Sequence, residues 1–426
     1  MYTGNPDILS LLLYLLLGAF SALIINAAMN AEKGYLIDPG RLEHINNPKV
    51  KRLAELTRAQ RIACKLSLHR IDRRFLLLSS FVLLFTFFAS ARKVDISLGG
   101  ADALNYAKIF YYSNLDNSPY AYLVKEPLFV FVCRVIRVFT DDYRVFFALA
   151  YAFIAASYCF FINKFFPHNG SCIPFVMLAF LYLKAFCTLR TSLAVAVILI
   201  GLALFDKNKL ASFLWIASSF FIHRASVFFV LVFFFCMFCH KYAARLKGKR
   251  LAVAVTAINL VLILLARGAQ LLIDLTDAFG LLSKTDLYYV THTLETPLIM
   301  RFPMYAAQTL LFVAIVILEP LQKQSKAFSF VKTVCVFDFL LAPVMLIMGV
   351  WRANEYFYVA RLIMWSMLIP QGEALFTRIT KGRIKARWYR IALCLAFFAW
   401  LGFRILSEWD DLRIMPYLFN FFVKGE

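Results

Sequence analysis

Three cationic groups interrupt two consecutive apolar stretches. Arg190 breaks the first, and the adjacent pair His223-Arg224 breaks the second, all between Cys187 and Phe229. A charge in lipid is costly unless it is paired or wetted, so intramembrane Arg and His mark functional positions by default. Such groups can also cap helices or snorkel to the headgroups. Three of them flanking consecutive spans point instead to a site for an anion. Further cations stand late in the chain. Arg361 lies about one turn inside a late apolar run and Arg352 at its approach, where an ion pair with Glu355 or a headgroup contact is an equal alternative. Arg301 reads as an interfacial anchor.

Acids and aromatics cluster between residues 92 and 144. Asp102 and Glu126 are isolated loop acids there, able to cap a turn or to bind hydroxyl groups. Tyr106, Tyr111, Tyr112, Tyr120 and Tyr122 crowd the same segment. Aromatic faces suit the C–H surfaces of sugars, but Tyr also populates membrane interfaces without a ligand. Tyr106 alone is assigned to the site. Gly99-Gly100 permits a close or left-handed turn just before Asp102.

The elements that must position these groups are membrane spans. At 62% hydrophobic and 17% aromatic residues, with mean hydropathy +0.71, the chain cannot be an ordinary soluble globule. Its net charge of +21 collects in segments between apolar runs, which reads as positive-inside topology rather than as nucleic-acid binding. The densest basic cluster, within residues 31–74, includes Lys33, Lys49, Lys51, Arg52, Arg58, Arg61, Lys65, Arg70 and Arg73, and is therefore placed in the cytoplasm. It could also form amphipathic helices on anionic lipid.

Twelve spans follow, in one polytopic all-α domain over residues 1–426: Ile8 to Ala28, Phe75 to Ala91, Val145 to Ile162, Ile173 to Thr188, Thr191 to Phe205, Leu210 to Ile222, Ala225 to Cys239, Leu251 to Ala266, Phe302 to Leu318, Phe328 to Val350, Phe357 to Pro370, and Ile391 to Leu406. Several are short, as helices lining a wet cavity often are. Pro127 to Thr140 carries Arg134 and Arg137 on one edge and is read as an amphipathic helix on the outer surface, because a crossing there would invert the charge bias of every later loop. Segments 92–144, 268–300 and 407–426 then lie outside, with both termini. No cleavable signal is evident ahead of the first span.

The cysteines sit mostly in apolar runs and behave as small hydrophobes. Cys236-Met-Phe-Cys239-His240 has the spacing of c-type haem attachment, but the topology puts it at a cytoplasmic span end, the wrong side for that chemistry. No zinc motif, phosphate-binding glycine loop or dinucleotide fingerprint appears.

Taken in order, Gly100-Ala-Asp102-Ala-Leu-Asn-Tyr106, Glu126-Pro127-Leu-Phe, Arg190-Thr-Ser-Leu-Ala194, Phe220-Phe-Ile-His223-Arg224-Ala-Ser226 and Ile414-Met-Pro416-Tyr417 resemble the EpsG family, related to the Wzy-type polymerases of bacterial surface polysaccharides. The resemblance covers nearly the whole chain from about Phe75 onward. Ala101 and Ala103 replace the family's usual Thr and Tyr around the acid, and Thr191 stands where Gln is common. The resemblance implies a GT-C-like architecture in the bacterial inner membrane. It also implies glycosyl transfer at the outer leaflet, from a polyprenyl-diphosphate-linked glycan to the non-reducing end of another lipid-linked repeat. A flippase and a chain-length regulator are implied partners, besides membrane lipid.

A diphosphate leaving group gains charge as the glycosidic bond breaks, so Arg190 and Arg224 are the expected stabilisers, completed by Arg352 or Arg361. His223 is the expected base, since an imidazole exchanges protons near neutral pH. Asp102 is the competing base, and Glu126 and Tyr106 are expected to bind sugar. No metal or other cofactor is required, because guanidinium groups supply the positive charge. Two other classes share these features. A lipid-linked oligosaccharide flippase would show a cationic path open to both sides and related halves. A polysaccharide ligase or sugar acyltransferase would share the outer basic pocket.

Overall fold

The computed structural model describes residues 6–31, 34–35, 70–71, 73–96, 98–114, 126–167, 169–243, 245–278, 298–319, 325–347 and 351–418. Their regular structure is helical, apart from a two-residue antiparallel pairing of Gly34–Tyr35 with Arg70–Ile71. Helices α1 (Ile8–Asn30) and α2 (Arg73–Ser90) are followed by two short ones, α3 (Ala103–Tyr112) and α4 (Pro127–Arg137). Next come α5 (Tyr143–Phe165), α6 (Leu178–Cys187), α7 (Leu189–Leu204), α8 (Lys209–Ile222) and α9 (Val227–Ala243). The series ends with α10 (Gly248–Ala278), α11 (Leu298–Leu318), α12 (Lys326–Ile347), α13 (Tyr358–Ile379) and α14 (Ala386–Leu412).

Long apolar runs give the helices, and short polar side chains start several of them. Asp7, Asp142 and Asn208 accept from the backbone N–H of Ser10, Arg144 and Ala211, caps worth about 1 kcal/mol each. Among the described residues, six helices are long and apolar enough to cross a membrane, and five more are apolar but shorter. The chain is thus a polytopic helical membrane protein. Large apolar side chains such as Phe20, Leu231 and Leu264 are exposed on its outside, as a lipid-facing surface requires.

Helix α12 is the axis, packing against α5, α9, α10, α11 and α13. Polar residues are buried along it. Asp338 receives Arg361 Nε at 2.5 Å and Gln308 Nε2 at 2.8 Å, and Lys332 meets Glu319 at 2.6 Å. Arg361 is therefore paired with Asp338 and Asn354, not with Glu355.

Helix bounds bear on two of the expected segments. α10 continues through Ala278, so a helix fills the first part of 268–300, whose remainder up to residue 297 lies outside the described residues. α14 runs to Leu412, which shortens the C-terminal tail. Segment 31–74 also lies largely outside the described residues. At 11 residues, α4 is about 16 Å long, too short for a crossing of about 30 Å.

The tail folds back onto the helix ends. Lys93 N–H donates to Leu418 O at 2.7 Å, Ala101 N–H to Leu412 O at 3.1 Å, and Tyr417 N–H to Ser10 Oγ at 2.7 Å. The Ile414–Tyr417 motif therefore shares one end of the bundle with the start of α1, the end of α2 and the Gly99-Gly100 turn. That turn needs glycine. Gly100 has φ +119°, and a Cβ there would sit 2.4 Å from Phe186 O. Arg92 fastens the same turn from inside. Its guanidinium lies 4.0 Å from the Phe186 ring centroid and donates to Gly99 O at 2.6 Å and Tyr151 Oη at 2.8 Å.

Candidate functional site

Two helix breaks and one helix start converge. α7 and α8 form an antiparallel hairpin about 24 and 21 Å long, each shorter than a hydrocarbon core of about 30 Å. Arg190 begins α7, just after Thr188, whose backbone (φ −119°, ψ 42°) divides α6 from α7. His223 ends α8 in an extended conformation (φ −151°, ψ 111°), and a 3-10 turn, Arg224–Ser226, leads into α9. Ser219 and Ser226 hydroxyls meet across that break at 3.1 Å. The antiparallel pairing brings the start of α7 and the end of α8 to the same end, hence Arg190 beside His223.

Glu126 completes the arrangement. Pro127 occupies the first turn of α4, where its missing N–H costs nothing, and it holds the preceding residue extended. The Glu126 carboxylate does not cap its own helix. It reaches Arg190 Nη1 at 2.5 Å through Oε2, and His223 Nδ1 at 2.9 Å and the Arg224 N–H at 3.2 Å through Oε1. The carboxylate is 6% exposed, against 26% for the Arg190 side chain and 17% for His223, so cation and imidazole are the reachable members. Burial raises the Glu126 pKa, but the His223 hydrogen bond and the Arg190 charge outweigh it, leaving the value below the ordinary 4.5.

This geometry fixes a tautomer. An ionised carboxylate only accepts, so His223 Nδ1 carries the proton donated to Glu126, and in the neutral ring Nε2 is then the acceptor. The arrangement is a carboxylate-oriented imidazole beside a guanidinium, suited to taking a proton near a developing negative charge. Arg190 gives one donor to Glu126 and holds its Cζ 5.8 Å from the Tyr106 ring centroid.

The other expected residues fall at different distances from this centre. Tyr106 is buried, and its hydroxyl lies 3.4 Å from Cys187 O. Asp102 is the N-cap of α3, where its carbonyl accepts from Tyr106 N–H at 3.0 Å. Arg224 is exposed. Arg361 is committed to Asp338 and Asn354. The side chains of Arg301 and Arg352, with Tyr120 and Tyr122, lie outside the described residues. Tyr111 and Tyr112 are exposed. At the far side of the bundle, His240 Nδ1 pairs with Met237 O at 2.7 Å, and Cys236 is fully buried.

Three residues of the centre carried no signal that was read as a site. Thr188 Oγ1 donates to Glu355 Oε2 at 2.9 Å, joining the α6–α7 break to a 3-10 helix, Trp351–Phe357. Tyr356 stacks on Phe229 of α9 with ring centroids 3.9 Å apart. Glu355 is a lone acid before an apolar run, a pattern that could have flagged it independently of Arg361.

Compared with known proteins, residues 75–419 match the family model described as the EpsG family. No curated protein and no solved structure matches the chain.

Proposed function

The chain belongs to the EpsG family, which is associated with Wzy-like polysaccharide polymerases, and from that membership we propose that it extends a bacterial surface polysaccharide by joining lipid-linked repeat units. The protein crosses the inner membrane twelve times in a GT-C-like arrangement, with both termini and the Glu126 centre towards the outer leaflet. The donor is a polyprenyl-diphosphate-linked glycan. The acceptor is the non-reducing end of another lipid-linked repeat.

The observation that carries this reading is the grip of one buried carboxylate on both Arg190 and His223. As the bond from the sugar to the diphosphate breaks, the leaving group departs with its electron pair and its charge is met by Arg190 and Arg224. The acceptor oxygen bonds to the same carbon, and its proton passes to His223 Nε2. Glu126 keeps the ring in the required tautomer and offsets the imidazolium that forms. Tyr106 and Arg352 contribute to substrate binding, and Asp102 is the competing base.

Proteoliposomes of the purified protein, given intact polyprenyl-diphosphate-linked repeats, test this. The expected product is a ladder rising by one repeat per rung. A single unextended species would contradict it. Movement of labelled lipid between leaflets would then identify a flippase, and transfer to a different acceptor a ligase or acyltransferase.

A further inference from the structure

The 3-10 helix between α12 and α13 adds a second acid to the centre. Glu355 is 6% and Tyr356 3% exposed. Glu355 takes the Thr188 hydroxyl at 2.9 Å, two residues before Arg190. Tyr356 lies flat on Phe229, six residues after His223, at 3.9 Å and an interplanar angle of 8°. The Tyr356 hydroxyl is buried and makes no hydrogen bond among the described residues. A buried hydroxyl without a partner forfeits about 1–3 kcal/mol, so its retention calls for a ligand or another role. Burial raises its pKa first, and the charges of Glu355 and Glu126 raise it further.

We propose that Glu355 and Tyr356 form the subsite for the acceptor sugar, binding hydroxyl groups next to the one that reacts. The inference rests on the polymerase reading. A sugar offers neighbouring hydroxyls that each donate and accept. Glu355 can only accept, which suits one of them, and the Tyr356 hydroxyl supplies the donor for another. Thr188 orients the carboxylate. The diphosphate groups stay with Arg190 and Arg224, so cations hold the donor while this acid and hydroxyl hold the acceptor. The sugar reaches them past the partly exposed side chains of Arg190 and His223.

A single-addition assay separates the two substrates. The donor is a lipid-linked repeat whose non-reducing-end hydroxyl is blocked, and the acceptor is an alkyl glycoside of the repeat, which has no diphosphate to lose. Tyr356→Phe removes one oxygen and keeps the stack on Phe229. It should raise the acceptor KM about tenfold and leave the donor KM unchanged. Glu355→Gln should raise the acceptor KM by about 10- to 100-fold, since its hydrogen bonds are to a charged group. Both variants should bind polyprenyl diphosphate as the unmodified protein does. Wild-type acceptor KM in Tyr356→Phe, or an equal rise in donor KM, overturns the subsite while the polymerase reading stands. If the unmodified protein yields no addition product, both fall together.

Discussion

Glu126 and His223, 97 residues apart in the chain, meet at 2.9 Å, where the start of an amphipathic helix touches the break between two membrane helices. The same carboxylate holds Arg190 at 2.5 Å through its other oxygen. Acid, imidazole and guanidinium therefore form one unit, and substitutions in it should be strongly non-additive.

Arg190→Ala should lower chain growth about 100- to 1000-fold, the usual loss when one donor to a developing charge is removed. Arg190→Lys should restore little, because an ammonium lacks the planar fork. Protein abundance should stay near normal in both. Repeat units added per minute, normalised to purified protein, check this.

His223→Ala and Glu126→Gln should each slow transfer by about 100- to 10,000-fold, the range of general-base contributions. Glutamine at 126 cannot accept the Nδ1 proton through a charged oxygen, so it leaves the ring tautomer unfixed. The double variant should be hardly worse than either single one. Full additivity in the logarithm of rate would show that the two act separately.

The depressed Glu126 pKa makes stability depend on pH with a definite sign. Between the folded value and the ordinary 4.5, the unfolded chain binds more protons, so stability rises with pH across that window and is lost as pH falls through the folded value. Melting temperatures from pH 6 to pH 3 should fall more steeply for the unmodified protein than for Glu126→Gln. Parallel curves would contradict the ion-pair account.

Buried pairs around α12 give a structural control. Arg361 is 6% and Asp338 1% exposed, and removing one partner of such a pair costs about 3–5 kcal/mol. Asp338→Ala should lower the melting temperature and membrane abundance. An apolar replacement of both partners should recover much of the loss. If Asp338→Ala leaves stability intact while abolishing chain growth, Arg361 belongs with the substrate after all.

Gly100→Ala tests the turn that seats the tail and α3. At φ +119° with Phe186 O in the way, a methyl group should cost at least about 1–3 kcal/mol, read as a lower melting temperature. Unchanged melting would show that the turn yields.

Hydropathy placed the long helices well, because apolar runs and basic clusters report directly on membrane crossing. Arg190, His223 and Arg224 were legible for the same reason, as charges where lipid should be. Glu126 stood out in the sequence as an isolated acid, but its contacts with Arg190 and His223 did not, since one of them spans 97 residues. Asp338 and Lys332 carried the signal that exposed Arg190, a charge inside an apolar run, and were passed over. Their partners, Arg361 and Glu319, come from other elements, so only the packed bundle distinguishes structural pairing from a site. Tyr356 was hidden by a 3-10 helix too short to leave a periodic pattern.

The most direct measurement is chain growth from lipid-linked repeats by purified wild-type protein and Arg190→Ala, matched in amount and in melting temperature. The account predicts a regular ladder from the first and at most a trace from the second. Equal ladders from both would contradict the assignment of the Glu126, Arg190 and His223 centre to glycosyl transfer.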